Sequence, residues 1–178
     1  MKIIDKTIEI LIPTDKLLSR VQELGAEITK AYAEAKEAPV LICILKGSFI
    51  FIADLIRYID LPVTVDFLGT SSYGADTKSS GVVEITKDLS EPIKNRDVII
   101  IEDIIDTGLT MDYLIKMLRT RGPNSIKVCS LLHKPSRMKV RVPMDFLGFM
   151  IDDKFVIGYG LDYAQKYRNL DYIGVLSL

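Results

Sequence analysis

Apolar positions in this chain follow two spacings, and the places where one gives way to the other mark its elements. Apolar-rich runs at 39–45, 63–68, 98–101 and 126–132 have the short, β-branched form of strands buried on both faces, as parallel strands are. Between them the spacing turns helical: Leu17, Leu18, Val21, Leu24, Ile28 and Ala31 fall on one stripe, and Met111, Leu114, Ile115 and Leu118 on another. The first stripe predicts a helix capped by Thr14, after a short strand at 8–12 that Pro13 stops, and ending near Lys36. A further helix is predicted over 49–59. This alternation predicts an α/β fold, a mainly parallel sheet flanked by helices. Three late runs, 146–150, 155–159 and 172–176, either extend that sheet or form a small hood over it. In such sheets ligands bind beyond the C-terminal strand ends.

Three strand ends carry residues that a plain connection does not need. Lys46-Gly47 follow the run at 39–45, Glu102-Asp103 follow 98–101, and His133-Lys134 follow 126–132, which implies one shared site. After the two carboxylates come Ile104-Ile105 and then Asp106-Thr107-Gly108-Leu109-Thr110, where strand passes into helix. A helix N-terminus presents unpaired N–H groups and the positive end of its dipole, and Gly108 lets the backbone approach a ligand closely. With the Thr107 and Thr110 hydroxyls, that loop suits a phosphate. Glu102 and Asp103 would repel a phosphate and so suit ribose hydroxyls or a metal ion. Together they describe a phosphorylated sugar. The plainer alternative is that Asp106 or Thr107 only caps the helix.

Between Gly69 and Val83 the chain is almost wholly polar, with Tyr73 in its midst. A polar stretch of that length is either a lid or the tip of a hairpin, and the tyrosine favours the lid.

At 178 residues, 48% hydrophobic and 26% charged, the chain is expected to form one domain over 1–178. A net charge of −1 gives no bulk electrostatic reason to expect nucleic acid or membrane partners. Cys43 and Cys129 lie in apolar runs, as small buried residues of a reducing compartment do. The single His and the lack of a Cys-x-x-Cys pair leave no Cys/His metal framework, and His133 reads as a packing or surface residue. Charges at Lys2, Asp5 and Lys6 interrupt any signal peptide, so the expected location is cytoplasmic. Gly158-Tyr159-Gly160 lacks the third glycine of a dinucleotide fingerprint, Tyr163 standing in its place.

The ordered run of four hydrophobics, two acids, two hydrophobics and Asp-Thr-Gly-x-Thr resembles the phosphoribosyl-diphosphate motif of the type I phosphoribosyltransferases. Later residues resemble those of the hypoxanthine-guanine members of that family, with matches from about Leu45 to Tyr172. The resemblance implies purine salvage: transfer of the 5-phosphoribosyl group from 5-phosphoribosyl diphosphate to N9 of hypoxanthine or guanine, giving IMP or GMP and diphosphate, with Mg2+. It implies Asp106 as general base at purine N7 and the loop Asp106, Thr107, Gly108, Leu109 and Thr110 around the 5′-phosphate. Glu102 and Asp103 are implied on ribose or metal, and Asp162 as a metal-binding carboxylate beside the purine. Diphosphate falls to Lys46, Gly47, the lid pair Ser72-Tyr73 and Arg168, with a peptide bond between Lys46 and Gly47 that is often cis. Lys134 is implied at the 6-oxo group, Phe155 stacked on the base, and the Val156 backbone accepting from N1 and the 2-amino group. An ammonium has three donors and no acceptor, so it holds a 6-oxo but not a 6-amino group. Relatives usually form homodimers or homotetramers, which is the expectation carried here. Two other readings remain open at the level of sequence: a shifted base preference, toward xanthine for instance, and an RNA-binding regulator that keeps the fold.

Overall fold

The computed structural model describes residues 8–72 and 83–177. In chain order the elements are β1 (Ile8–Ile12), α1 (Thr14–Ala31), β2 (Val40–Leu45), α2 (Phe49–Leu55), a 3-10 turn (Ile56–Tyr58), β3 (Thr64–Ser72), β4 (Val83–Lys87), β5 (Asp97–Ile105), α3 (Leu109–Arg119), β6 (Ser125–His133), a 3-10 turn (Pro135–Arg137), β7 (Phe146–Met150), β8 (Val156–Ile157) and β9 (Ile173–Leu176). Six strands make the main sheet, in the order β4-β3-β2-β5-β6-β7. All its neighbours run parallel except β3 and β4. The expected α/β sheet is thus present, and the late runs divide: β7 extends the sheet, while β8 and β9 join β1 in an antiparallel hood ordered β1-β9-β8.

Alternation along β5 explains why its run is wholly apolar. Ile99 and Ile101 pack in the core under α1 and α2, whereas Val98 and Ile100 pack in the core that holds Met111, Leu114, Ile115 and Leu118 of α3. Each face of the strand is therefore closed by a helix layer, and water is removed from both.

Several element bounds differ from the sequence expectation: β5 runs on through Glu102-Asp103 to Ile105, and β8 keeps only Val156–Ile157 of the run 155–159. Pro13, not Thr14, stands at the N-cap of α1, because its carbonyl accepts the Leu17 N–H at 3.0 Å while the threonine hydroxyl makes no cap bond. The same helix stops at Ala31, since Tyr32 leaves helical geometry and turns into the core, its ring 4.8 Å from the Lys127 ammonium. α2 gives way to a 3-10 turn after Leu55 where α1 passes; a Cβ on Gly25 would lie 2.5 Å from the Tyr58 Cβ, so only glycine permits that approach. Gly69, Thr70, Ser71 and Ser72 belong to β3, pairing with Lys87, Ile85, Glu84 and Val83, because backbone pairing needs no apolar side chain. Residues 73–82, and with them Tyr73, lie outside the described residues.

Arg20 joins α1 to the far edge of the sheet. Arg20 donates from Nη2 to the Leu147 carbonyl at 2.7 Å and from Nε to the Gly148 carbonyl at 3.3 Å, while its Nη1 meets Glu23 at 2.8 Å and Glu27 at 2.7 Å. No helix among the described residues is long and apolar enough to cross a membrane.

Candidate active site

The sheet reverses its winding between β2 and β5: the chain leaves β2 for β3 on one side and β5 for β6 on the other. Such a switch point opens a crevice beyond the C-terminal strand ends. Lys46-Gly47 leave β2 there, and Glu102-Asp103 stand near the end of β5. A Cβ on Gly47 would lie 1.5 Å from Asp103 Oδ2, and a Cβ on Gly160 would lie 2.0 Å from the Gly47 carbonyl oxygen, so three segments meet at one glycine. The cis peptide bond joins Leu45 to Lys46, one step before the expected bond between Lys46 and Gly47. Leu45, opposite Gly69, is the last residue of β2 in the ladder, so the chain is released from the sheet at that peptide.

Burial, then the neighbouring Asp103 charge, push the Glu102 carboxyl well above the ordinary glutamate value. Burial also raises Asp103, against hydrogen bonds from Glu102 and the Ile104 N–H and against the Arg168 charge. Both offer oxygen donors of the kind a hard cation takes, and a cation would relieve their mutual repulsion. Among the described residues no three His, Cys, Asp or Glu side chains gather into a metal cage. Asp162 instead accepts Arg168 Nη2 on Oδ1 at 2.7 Å and the Gln165 N–H on Oδ2 at 2.8 Å.

The loop after β5 bounds a cavity of about 130 Å³ lined by Glu102, Ile104, Ile105, Asp106, Thr107, Gly108, Thr110 and Met111. Gly108 stands at the N-cap of α3 with φ 80°, a left-handed conformation that suits glycine, and its carbonyl accepts the Asp112 N–H at 2.9 Å. Neither Asp106 nor Thr107 is the N-cap; the Thr107 hydroxyl only meets the Leu109 N–H at 3.4 Å. The alternative in which Asp106 serves as a mere cap therefore lapses.

β6 delivers His133 and Lys134 beside the same loop. His133 is buried with Nδ1 3.2 Å from the Ile105 carbonyl, the packing role expected of it. Lys134 is 8% exposed, its N–H donating to the Ile105 carbonyl at 3.0 Å and its ammonium 3.6 Å from Asp153 Oδ1. Phe155 is 43% exposed and meets Tyr163 edge-on, so the core placement usual for a phenylalanine does not hold. Val156 is buried in β8.

Two consecutive tight turns carry the remaining residues. Gly158 and Leu161 exchange backbone bonds at 3.0 Å, as do Tyr163 and Lys166 at 3.1 and 3.0 Å. The residues between them, Tyr159 and Gly160 in one and Ala164 and Gln165 in the other, all have positive φ, as hairpin turns of this hand require. Asp162 stands between the turns, and Arg168 Nη1 reaches back to the Gly160 carbonyl at 2.7 Å. Tyr159 OH donates to Asp54 Oδ2 at 2.7 Å, tying the hood to α2.

A larger hollow of about 390 Å³ includes Val65, Asp66, Phe67, Lys87 and Ser90. Its buried carboxylate is already engaged by the Phe67, Ser90 and Glu91 N–H groups, which gives it a structural role.

Residues 13–164 match the family model of the phosphoribosyl transferase domain. The chain belongs to the phosphoribosyl transferase family. It is 51% identical over 169 residues to the hypoxanthine-guanine phosphoribosyltransferase of Bacillus subtilis, covering 95% of this chain and 93% of that one. It is 47% identical over 172 residues to the hypoxanthine phosphoribosyltransferase of Salmonella typhimurium, covering 97% of each. A crystal structure of a hypoxanthine-guanine phosphoribosyltransferase from Bacillus anthracis superposes with a TM-score of 0.90 at 43% identity, over 97% of this chain and 100% of that one. The mainly parallel sheet with its hood is accordingly the type I phosphoribosyltransferase fold.

Two side chains at the candidate site of this phosphoribosyl transferase escaped the sequence reading. Arg137 donates from Nε to Asp106 Oδ1 at 2.9 Å and from Nη1 to Asp153 Oδ2 at 3.4 Å, and Asp153 in turn meets Lys134. Arg137 lies 31 residues from Asp106 in the chain, and no local pattern marks that pairing.

Proposed function

We infer that this chain transfers the 5-phosphoribosyl group of 5-phosphoribosyl diphosphate to N9 of hypoxanthine or guanine, forming IMP or GMP and releasing diphosphate. The observation that carries this is 51% identity, over nearly the whole chain, to a relative named for that reaction. The residues at the switch point support it, and the chain is taken to work as one domain over 1–178.

In this reading the N–H groups at the start of α3, with Thr107 and Thr110, hold the 5′-phosphate, because a helix N-terminus favours an anion. Lys46, the Gly47 backbone and Arg168 hold diphosphate, and Ser72-Tyr73 close over it to exclude water. Phe155 stacks on the purine, Lys134 donates to O6, and the Val156 carbonyl accepts from N1 and the 2-amino group. Asp106 takes the N7 proton as N9 attacks C1 of the ribose and the bond from C1 to the diphosphate oxygen breaks. Glu102 and Asp103 hold the ribose hydroxyls or Mg2+, with Asp162 a second point for the ion; water and substrate oxygens complete its shell. Mg2+, when bound, screens the charge of the departing diphosphate.

The same reading places the protein in the cytoplasm, where the free buried thiols Cys43 and Cys129 stay reduced, and makes it a homodimer or homotetramer without nucleic acid or membrane partners. The test is diphosphate release by the purified protein with 5-phosphoribosyl diphosphate and Mg2+, offering hypoxanthine, guanine, xanthine and adenine separately. Turnover with the first two and none with adenine is expected. Turnover with xanthine alone would rewrite the base pocket. No turnover, with RNA binding that falls steeply with salt, would replace the enzyme by a regulator.

A further inference from the structure

We propose that Arg137 is a positioning residue for purine recognition, bracing Asp106 directly and Lys134 through Asp153. The proposal rests on the roles of Asp106 and Lys134 inferred above. On a 6-oxopurine, N7 and O6 sit side by side on one edge. A carboxylate reading N7–H and an ammonium reading O6 must therefore be held at a fixed separation. Asp106 follows β5 and Lys134 follows the neighbouring strand β6, so the sheet sets their backbones but not their side-chain torsions.

The segment after β6 supplies that second constraint. Its backbone is pinned at both ends: Lys134 N–H donates to the Ile105 carbonyl at 3.0 Å, and Lys139 and Val140 N–H groups converge on the Thr107 carbonyl at 2.9 and 3.2 Å. Within it, Arg137 N–H donates to the Lys134 carbonyl at 3.1 Å, closing the 3-10 turn that aims the guanidinium back at Asp106. A Cβ on Gly108 would lie 2.2 Å from the Val140 carbonyl oxygen, so this segment packs directly on the phosphate loop.

The carboxylates divide their oxygens to match. Asp153 gives Oδ2 to Arg137 and Oδ1 to Lys134, and Asp106 gives Oδ1 to Arg137, which leaves Oδ2 as the oxygen turned to the purine. Both Arg137 ion pairs are half-exposed, and pairs of that kind add little to folding stability. Their effect is on order: the side chains are already arranged when the base arrives, and the base does not have to arrange them.

Steady-state kinetics of wild type, Arg137→Gln, Arg137→Lys, Asp153→Asn and the Arg137→Gln/Asp153→Asn double variant test this. Arg137→Gln is expected to raise KM for hypoxanthine and guanine about tenfold, while KM for 5-phosphoribosyl diphosphate and the thermal midpoint stay unchanged. Arg137→Lys, which keeps the charge but loses the fork that spans two carboxylates, is expected to follow Arg137→Gln. The double variant is expected to be no worse than the poorer single one, because both break one chain. Unchanged base KM, equal rises in both KM values, or additive effects would overturn the proposal while leaving the reaction standing. Absence of wild-type turnover would overturn both.

Discussion

Gly47→Ala puts a methyl group where the structure has no room for one. Its Cβ would lie 1.5 Å from Asp103 Oδ2 and 2.5 Å from Asp103 Cγ. Ordinary contact would require the carboxylate to retreat by about 2 Å. Asp103 is 8% exposed and its Oδ1 accepts the Ile104 N–H at 2.8 Å, so retreat sacrifices a hydrogen bond inside a packed layer. Overpacking and the lost charged bond together cost about 3 kcal/mol. For a chain of this length that lowers the thermal midpoint by about 9 °C. The measurement is thermal and urea unfolding in divalent-free buffer, for Gly47→Ala in the wild-type and in the Asp103→Ala backgrounds. Without the carboxylate the methyl group has space, and Gly47→Ala is then expected to cost under about 1 kcal/mol. Equal losses in the two backgrounds, or no loss in the first, would refute the packing argument.

Three further outcomes follow from groups already described. Glu102 titrates above its ordinary value when folded, so the folded state holds more protons than the unfolded one and loses stability as pH rises past about 4.3; Glu102→Gln should gain on wild type over that rise in metal-free urea titrations, and a constant gap would contradict it. Asp66, which burial alone would raise, is held below the ordinary aspartate value by the Phe67, Ser90 and Glu91 N–H groups and the Lys87 charge. Its contribution is present above about 3.9 and lost as pH falls through the lowered value, so Asp66→Asn should cost about 2 kcal/mol at neutral pH and progressively less in acid. Asp106→Asn should lower kcat by about 10² or more with little change in substrate affinity, read by single-turnover kinetics; unchanged turnover would remove Asp106 from the base role.

The sheet was legible because strand segments closed on both faces are apolar at successive positions, and β5 writes that rule over Val98, Ile99, Ile100 and Ile101. The candidate site was legible in its main line because ligands of such sheets bind beyond the strand ends, and Lys46, Glu102 and Lys134 stand at or near three of them. Helix ends were less so: Tyr32 ends α1 by turning inward, a tertiary event that no spacing announces. The residues Gly69 to Ser72 read as loop because backbone pairing, which needs no apolar side chain, places them in the strand. The hood turns place Ala164 and Gln165 at positive φ without the glycine or asparagine that usually signals it. Arg137 was invisible because its meaning depends on a 3-10 turn folding back onto a loop from another strand.

The hold of Arg20 on β7 reaches beyond the folding of one molecule. β7 is the outermost strand of the main sheet, and an outermost strand offers its free carbonyls as a template for a strand of another chain. The guanidinium already meets the Leu147 and Gly148 carbonyls, of which alternation along a strand turns one to the open edge, and is itself held by Glu23 and Glu27. A newcomer would have to displace a charged fork, then pair against a rim of acidic side chains. At that border the sheet carries its own guard against growing from molecule to molecule at the concentrations of a crowded cell.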